Sequence, residues 1–164
     1  VFEDSASEFE ASKFDLAKLT RVTNMRFKSL LSSKVAEALK GIQCHVEVEE
    51  GVFFTDMRPL DLITIISILC DNAIEATVLA DEPKLSIAIF KMEIIVIVVE
   101  NSTKEASIDV APLKQRGFST KGTGRGLGLA NIEEILFRYD NVTLETESAQ
   151  HRFVQLLSIT PKED

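Results

Sequence analysis

Five of the seven glycines in this 164-residue chain lie between Gly117 and Gly128, and four of them, Gly122, Gly124, Gly126 and Gly128, take every second position. Glycine has no β-carbon to bury and loses the most backbone freedom on ordering, so a run this dense cannot form the core of a helix or strand. It must be a loop, and the core must come from the apolar stretches on either side. A helical pattern, Leu129–Arg138, starts straight after it. Successive backbone N–H groups leading into a helix N-terminus form a site for phosphate. Glycine-rich turns also occur without ligands, and the glycines alone leave the two readings level.

Spacing removes two familiar phosphate loops. The P-loop pattern G-x-x-x-x-G-K-[ST] is absent, and so is the dinucleotide fingerprint G-x-G-x-x-G, because the glycines step by two throughout. Charge tips the balance toward phosphate. Val110 to Ile132 contains no Asp or Glu but holds Lys114, Arg116, Lys121 and Arg125, a +4 island in a chain of net charge −8. The acidic remainder repels anions, so a basic island can act as a local anion site. Lys121 and Arg125 would add charge-assisted hydrogen bonds.

The acidic balance argues against nucleic acid as a partner. Cys44 and Cys70 are isolated thiols, which suits a reducing compartment. His45 and His151 have no Cys or His at ligand spacing and read as structural or solvated. The longest apolar runs, Leu62–Leu69 and Ile94–Val99, fall short of the ~20 residues a spanning helix needs. The start at Val1 suggests a processed protein or an excised fragment.

Residues 1–17 are acidic and Ser-rich, and read as an arm or the tail of an upstream helix. From Lys18 to Lys40, Phe27, Leu30, Leu31, Val35, Ala38 and Leu39 recur at helical steps, with Gly41 as the expected C-terminal cap. Cys44–Glu49 alternates as a half-exposed strand. Asp56 is the expected cap of a buried helix that has Pro59 in its first turn and runs to about Leu79. Lys84–Phe90 and Ile94–Glu100 read as paired strands, the second of them central. Residues 101–128 hold no convincing element, and a loop this long in a compact domain is often functional. Val142–Glu147 and Phe153–Ile159 read as a closing pair of strands. The expected fold is α+β, a two-layer sandwich of a mixed, about five-stranded sheet and about three helices.

Asp71, Asn72 and Glu75 interrupt the apolar helix 59–79. Polar groups near a buried helix face are costly unless paired. The Asn72 carbonyl oxygen suits Mg²⁺, which prefers hard oxygen ligands and keeps several waters. Taken alone, an Asn satisfied by neighbouring backbone is the better reading.

Together the two segments are specific. Asp71-Asn72-Ala73-Ile74-Glu75-Ala76 resembles the N-box of the GHKL superfamily of ATP-binding domains, and Gly122–Leu129 resembles its second glycine box. The order of N-box helix, hairpin, lid loop, glycine box and helix is also similar, over about residues 35–160. Phe118-Ser119-Thr120-Lys121 with the glycines resembles histidine kinases. Together with Ile68–Ala76 it is similar to the peptide-pheromone receptor kinases of Gram-positive bacteria, the quorum-sensing type.

The resemblance implies the Bergerat ATP-binding fold with ATP and Mg²⁺ as ligands. Asn72 would coordinate Mg²⁺ bridging the phosphates. Gly122, Gly124, Gly126, Leu127, Gly128 and Leu129 would wrap the triphosphate, with Lys121 and Arg125 near its outer end. Ser119 and Thr120 would belong to a lid anchored by Phe118. Most of the superfamily carries Asp-x-Gly-x-Gly before the lid, whose Asp accepts from the adenine amino group. Here Val99-Glu100-Asn101-Ser102-Thr103 stands in its place, so Asn101 and Glu100 are the candidates. Gyrase and chaperone ATPases place a Glu four residues before the N-box Asn as a base for water. Here that position is Ile68, so hydrolysis should be poor and transfer to another nucleophile favoured.

The function implied is that of a sensor histidine kinase catalytic domain, passing the γ-phosphoryl group of ATP to a His on a dimerisation domain outside this chain. Residues 18–164 would be that domain and 1–17 a remnant of the upstream helix. The implied partners are the dimerisation domain and a response regulator. The full-length protein would be a membrane-bound homodimer with this domain in the cytoplasm, and the chain alone a monomer. The alternatives are a free-standing GHKL ATPase or serine kinase, and a docking module that no longer binds nucleotide.

Overall fold

The computed structural model describes Lys18 and residues 25–52, 56–111 and 127–163. Among these lie three helices, α1 (Met25–Ala38), α2 (Pro59–Thr77) and α3 (Leu127–Leu136). There are five strands, β1 (Gln43–Val48), β2 (Lys84–Lys91), β3 (Ile95–Ser102), β4 (Val142–Ala149) and β5 (Arg152–Ile159). The sheet order is β1-β2-β3-β5-β4. β1 and β2 are parallel, joined by the α2 crossover, and the other pairs are antiparallel. This is the mixed-sheet α+β sandwich expected.

Side chains alternate across a strand, so one face of each strand is buried under the helices. Cys44, Val46 and Val48 of β1 share that face with Leu85, Ile87 and Ile89 of β2. It continues through Ile95, Ile97, Val99 and Asn101 of β3 to Gln155, Leu157 and Ile159 of β5. β3 is central, as its apolar residues on both faces predict. On α1, Phe27, Leu31, Val35 and Ala38 form the buried stripe. Each large side chain buried this way contributes about 1.5–3 kcal/mol.

Several local expectations need correction. Gly41 is not a left-handed cap: among the described glycines only Gly51 has a positive φ. Instead α1 unwinds through a tightened turn, with the Gly41 and Ile42 N–H groups both donating to Ala38 O, at 3.2 and 2.9 Å. Asp56 does not cap α2. The N-cap is Arg58, in extended backbone with no side-chain cap, and Pro59 opens the helix. Pro59 lacks an N–H, which removes one of the donors a cap would satisfy. Asp56 instead ties its loop to the C-terminal segment, its Oδ1 accepting the Lys162 N–H at 3.0 Å. The stretch read as a loop from 101 is strand through Ser102, and α3 begins at Leu127 rather than Leu129. The arm 1–17 lies outside the described residues.

β4 and β5 are joined by the two residues Gln150 and His151, at φ 53° and 59°. Two consecutive left-handed residues make the tight hairpin turn whose twist matches that of its strands. His151 is held there by hydrogen bonds. Its N–H donates to Ala106 O at 2.9 Å, and Nδ1–H faces Thr103 O and Lys104 O at 3.2 and 3.1 Å. The structural reading of His151 follows from these contacts.

Candidate nucleotide-binding site

The two segments singled out in the sequence meet in space. α3 starts against the middle of α2, so close that a β-carbon added to Gly128 would stand 3.0 Å from Ile68 Cγ2 and 3.4 Å from Asn72 Nδ2. Only a residue without a side chain lets the helices approach this far. The half-buried Asn72 thus lies beside the first turn of α3, where backbone N–H groups have no intrahelical acceptor. Leu129, in the same turn, packs against the core. Of Asn72's neighbours in the sequence motif, Asp71 pairs with Lys34 of α1, and Glu75 is exposed.

A second linkage positions the end of β3. Thr77, fully buried at the end of α2, donates its hydroxyl to Lys84 O at 2.9 Å and lies 2.7 Å from Ser102 Oγ. Ser102 Oγ accepts the Lys84 N–H at 2.9 Å. The C-terminal part of α2 is therefore pinned to the residue following Asn101.

Asn101 and Glu100 are separated by the pleat. Asn101 pairs with Leu85 and Phe153 on the helix-covered face and is 3% exposed. Its Nδ2 donates to Ser102 O at 2.9 Å, and its Oδ1 has no hydrogen-bond partner among the described residues. Glu100 points to the opposite face. Both its oxygens are taken by Arg152, Oε1 by Nε at 2.8 Å and Oε2 by Nη2 at 2.6 Å. Strand alternation makes this separation obligatory, so the two candidates cannot share one ligand edge under α2. A groove at the end of the sheet, where β1 and β2 begin and β3 ends, is bordered by His45, Ser86, Glu100, Asn101 and Arg152 but not by Asn72.

Gln155 escaped the sequence reading. It is 2% exposed on the helix-covered face of β5, opposite Val99 and one step diagonally from Asn101. Its Nε2 has no hydrogen-bond partner among the described residues. A buried donor left unmade costs about 1–3 kcal/mol. The one signal in the sequence was its phase, a polar residue in register with Phe153, Leu157 and Ile159.

Lys121, Gly122, Gly124, Arg125 and Gly126, and the lid residues Phe118, Ser119 and Thr120, lie outside the described residues, and of Leu127 the helical backbone is described. Neither cysteine is a ready nucleophile. Both are free and buried, and burial, with the neighbouring Asp71 charge, pushes the Cys70 thiol up to about 12. His45 sits on the outer face of β1, away from the helices. No group of three or more His, Cys, Asp or Glu converges among the described residues. A Mg²⁺ held by one protein oxygen and by phosphates needs no such group. No described helix is long and apolar enough to cross a membrane.

The residues present fit a Mg-nucleotide. Asn101 offers an amide oxygen and Gln155, one register step away on the same buried face, an amide donor for a base, and Asn72 stands beside a helix N-terminus for phosphate. A sequence profile of the GHKL domain matches residues 57–160. No curated protein matches the chain. The nucleotide-free catalytic domain of histidine kinase ThkA superposes with a TM-score of 0.68 at 23% identity, over 90% of this chain and 96% of that one. Histidine kinase AdeS of Acinetobacter baumannii gives 0.64 at 16%, over 91% and 76%. The mycobacterial sensor histidine kinase MprB gives 0.62 at 13%, over 82% and 95%. At these identities the likeness is one of fold. The profile covers well over half of the chain, and on that ground the chain belongs to the GHKL domain family, with the fold of histidine kinase catalytic domains.

Proposed function

We propose that this chain is the ATP-binding catalytic domain of a two-component sensor histidine kinase. The observation that carries the reading is the contact of Gly128 with Asn72, which joins a hard oxygen ligand to a helix N-terminus. Asn72 Oδ1 would hold Mg²⁺ against the phosphates, and the first turn of α3 would direct N–H groups at them. Asn101 Oδ1, rather than Glu100, would accept from the adenine amino group, and Gln155 Nε2 would donate to a ring nitrogen. The glycine run with Lys121 and Arg125 would enclose the outer phosphates under a lid of Phe118–Thr120. Mg²⁺ would supply neutralisation of the phosphate charge.

Ile68, packed on Gly128, offers no base to a water molecule, so hydrolysis is slow. The γ-phosphoryl group goes instead to a histidine nitrogen on a dimerisation domain: an N–P bond forms, the bond to the β–γ bridging oxygen breaks, and ADP leaves. The receptor would be of the peptide-pheromone, quorum-sensing type, a membrane-bound homodimer that signals to a response regulator from this cytoplasmic domain. Alone, the chain would be monomeric.

A thermal-shift titration with Mg-ATP beside Asn72→Ala tests the nucleotide site. Ligand at ten times its Kd stabilises by roughly 1.4 kcal/mol, which raises the midpoint by a few degrees. A shift that requires Mg²⁺ and disappears in the variant supports the site. No shift at millimolar ATP would turn the reading toward a docking module.

A further inference from the structure

α2 and α3 run antiparallel and are joined at both ends. At one end Gly128 meets Ile68 and Asn72. At the other, the Asp61 carboxylate, 7% exposed in the first turn of α2, is shared by two consecutive residues beyond α3. Its Oδ2 accepts from the Tyr139 hydroxyl, and its Oδ1 accepts from Arg138 Nη2 at 3.1 Å. The Tyr139 oxygen accepts the Arg58 N–H at 3.3 Å, which closes the network onto the N-cap of α2. A carboxylate this buried is tolerated because it is paired and lies at the positive end of its helix.

The phosphoryl chemistry has no use for this group. Asp61 is two turns, about 10 Å, from Ile68 along α2. What it does have is direction. Between the two ends α3 presents Ile132 and Ile135, buried in the core. Apolar contact is non-directional and tolerates sliding. A slip of one turn, about 5.4 Å, would carry Gly128 off Asn72. A carboxylate held by a hydroxyl and a guanidinium at fixed angles admits one register.

We propose that the Asp61 carboxylate, shared by Tyr139 and Arg138, is a positioning device that sets where α3 sits along α2 and so presents the first turn of α3, with Gly128 against Asn72, to the nucleotide. This rests on the reading of Asn72 and that turn as the phosphate end of a nucleotide site. Asp61, Arg138 and Tyr139 are positioning residues, acting through α3.

The test is Tyr139→Phe in the full chain, which removes one oxygen and keeps the ring, with Arg138→Gln as the second variant. Residue-resolved amide exchange and the Kd for Mg-ATP are both measured. The amides of Asn131–Glu134, which close the first turn of α3, should exchange about tenfold faster while those of β2 and β3 keep their rates. The Kd should weaken about fivefold, and combination with Gly128→Ala should be non-additive although the sites are some 16 Å apart along the helix. Faster exchange confined to residues 136–140, an equal rise throughout the sheet, or an unchanged Kd would each overturn the proposal. If the unmodified chain binds no Mg-ATP, the nucleotide reading falls, and the exchange pattern still decides whether Asp61 sets the register of α3.

Discussion

Gly128 approaches Ile68 so closely that a β-carbon would stand 3.0 Å from Ile68 Cγ2. Ile is β-branched and stiff, so its methyl cannot simply swing away. Gly128→Ala sets two effects against each other. Helix propensity returns up to about 1 kcal/mol, and overpacking costs about 1–3 kcal/mol. The clash should win, lowering the melting point by a few degrees and the affinity for Mg-ATP by at least about tenfold, since the first turn of α3 is pushed from Asn72. Adding Ile68→Ala removes the clashing methyl and should restore binding. Calorimetric titration of the single and double variants checks this.

Gln155 holds a buried donor that has no hydrogen-bond partner among the described residues. Gln155→Met keeps the shape and removes the polar atoms. Without nucleotide the variant should be more stable by about 1 kcal/mol, or 2–4 °C for a chain of this size. Its affinity for ATP should fall, and the loss should be smaller for a triphosphate whose base offers different acceptors. A stability gain without loss of affinity would remove Gln155 from the site.

Tyr139 is the single tyrosine, so phenolate absorbance reports it alone. Burial raises its pKa, and the hydrogen bond to Asp61 raises it further. A raised pKa means that the folded state holds the proton more tightly. The contribution to stability is therefore complete below the unfolded value of about 10 and is lost as pH rises through the folded value. Phenolate absorbance should appear at higher pH in the folded chain than in urea, and Asp61→Asn should narrow the gap. Coincident titrations would count against the contact.

The β4–β5 turn offers a stability test independent of function. Gln150 takes φ 53°, where a residue with a β-carbon pays roughly 1–2 kcal/mol and Asn pays less. Gln150→Asn should raise the melting point by a few degrees with no change in nucleotide affinity. His151 should be left alone, because its N–H and ring anchor the 103–106 segment.

Much was legible in the residues themselves because it rests on periodicity. The apolar phases of Phe27–Ala38 and Cys44–Val48, and the double-sided run of β3, specify which element each stretch becomes and which side it buries. Pro59 marked the start of α2. The caps were less legible. Asp56 and Gly41 have the right chemistry but not the right place: Asp56 is taken by the Lys162 N–H from the far end of the chain, and α1 ends in local backbone bonds to Ala38 O.

The sequence by itself determined the α+β class, the order of elements, and the presence of both an Asn-bearing helix and a glycine run, since these are local patterns. Tertiary structure alone decided which side chains share a surface. The sheet register put Asn101 beneath α2 and Glu100 on the far side with Arg152. The antiparallel packing of α3 on α2 brought Gly128 to Asn72 and Tyr139 to Asp61. Residues this far apart in the chain carry no local signal of each other. Their meeting depends on how far two helices slide and which way a pleat faces, and both are settled only when the whole core packs at once.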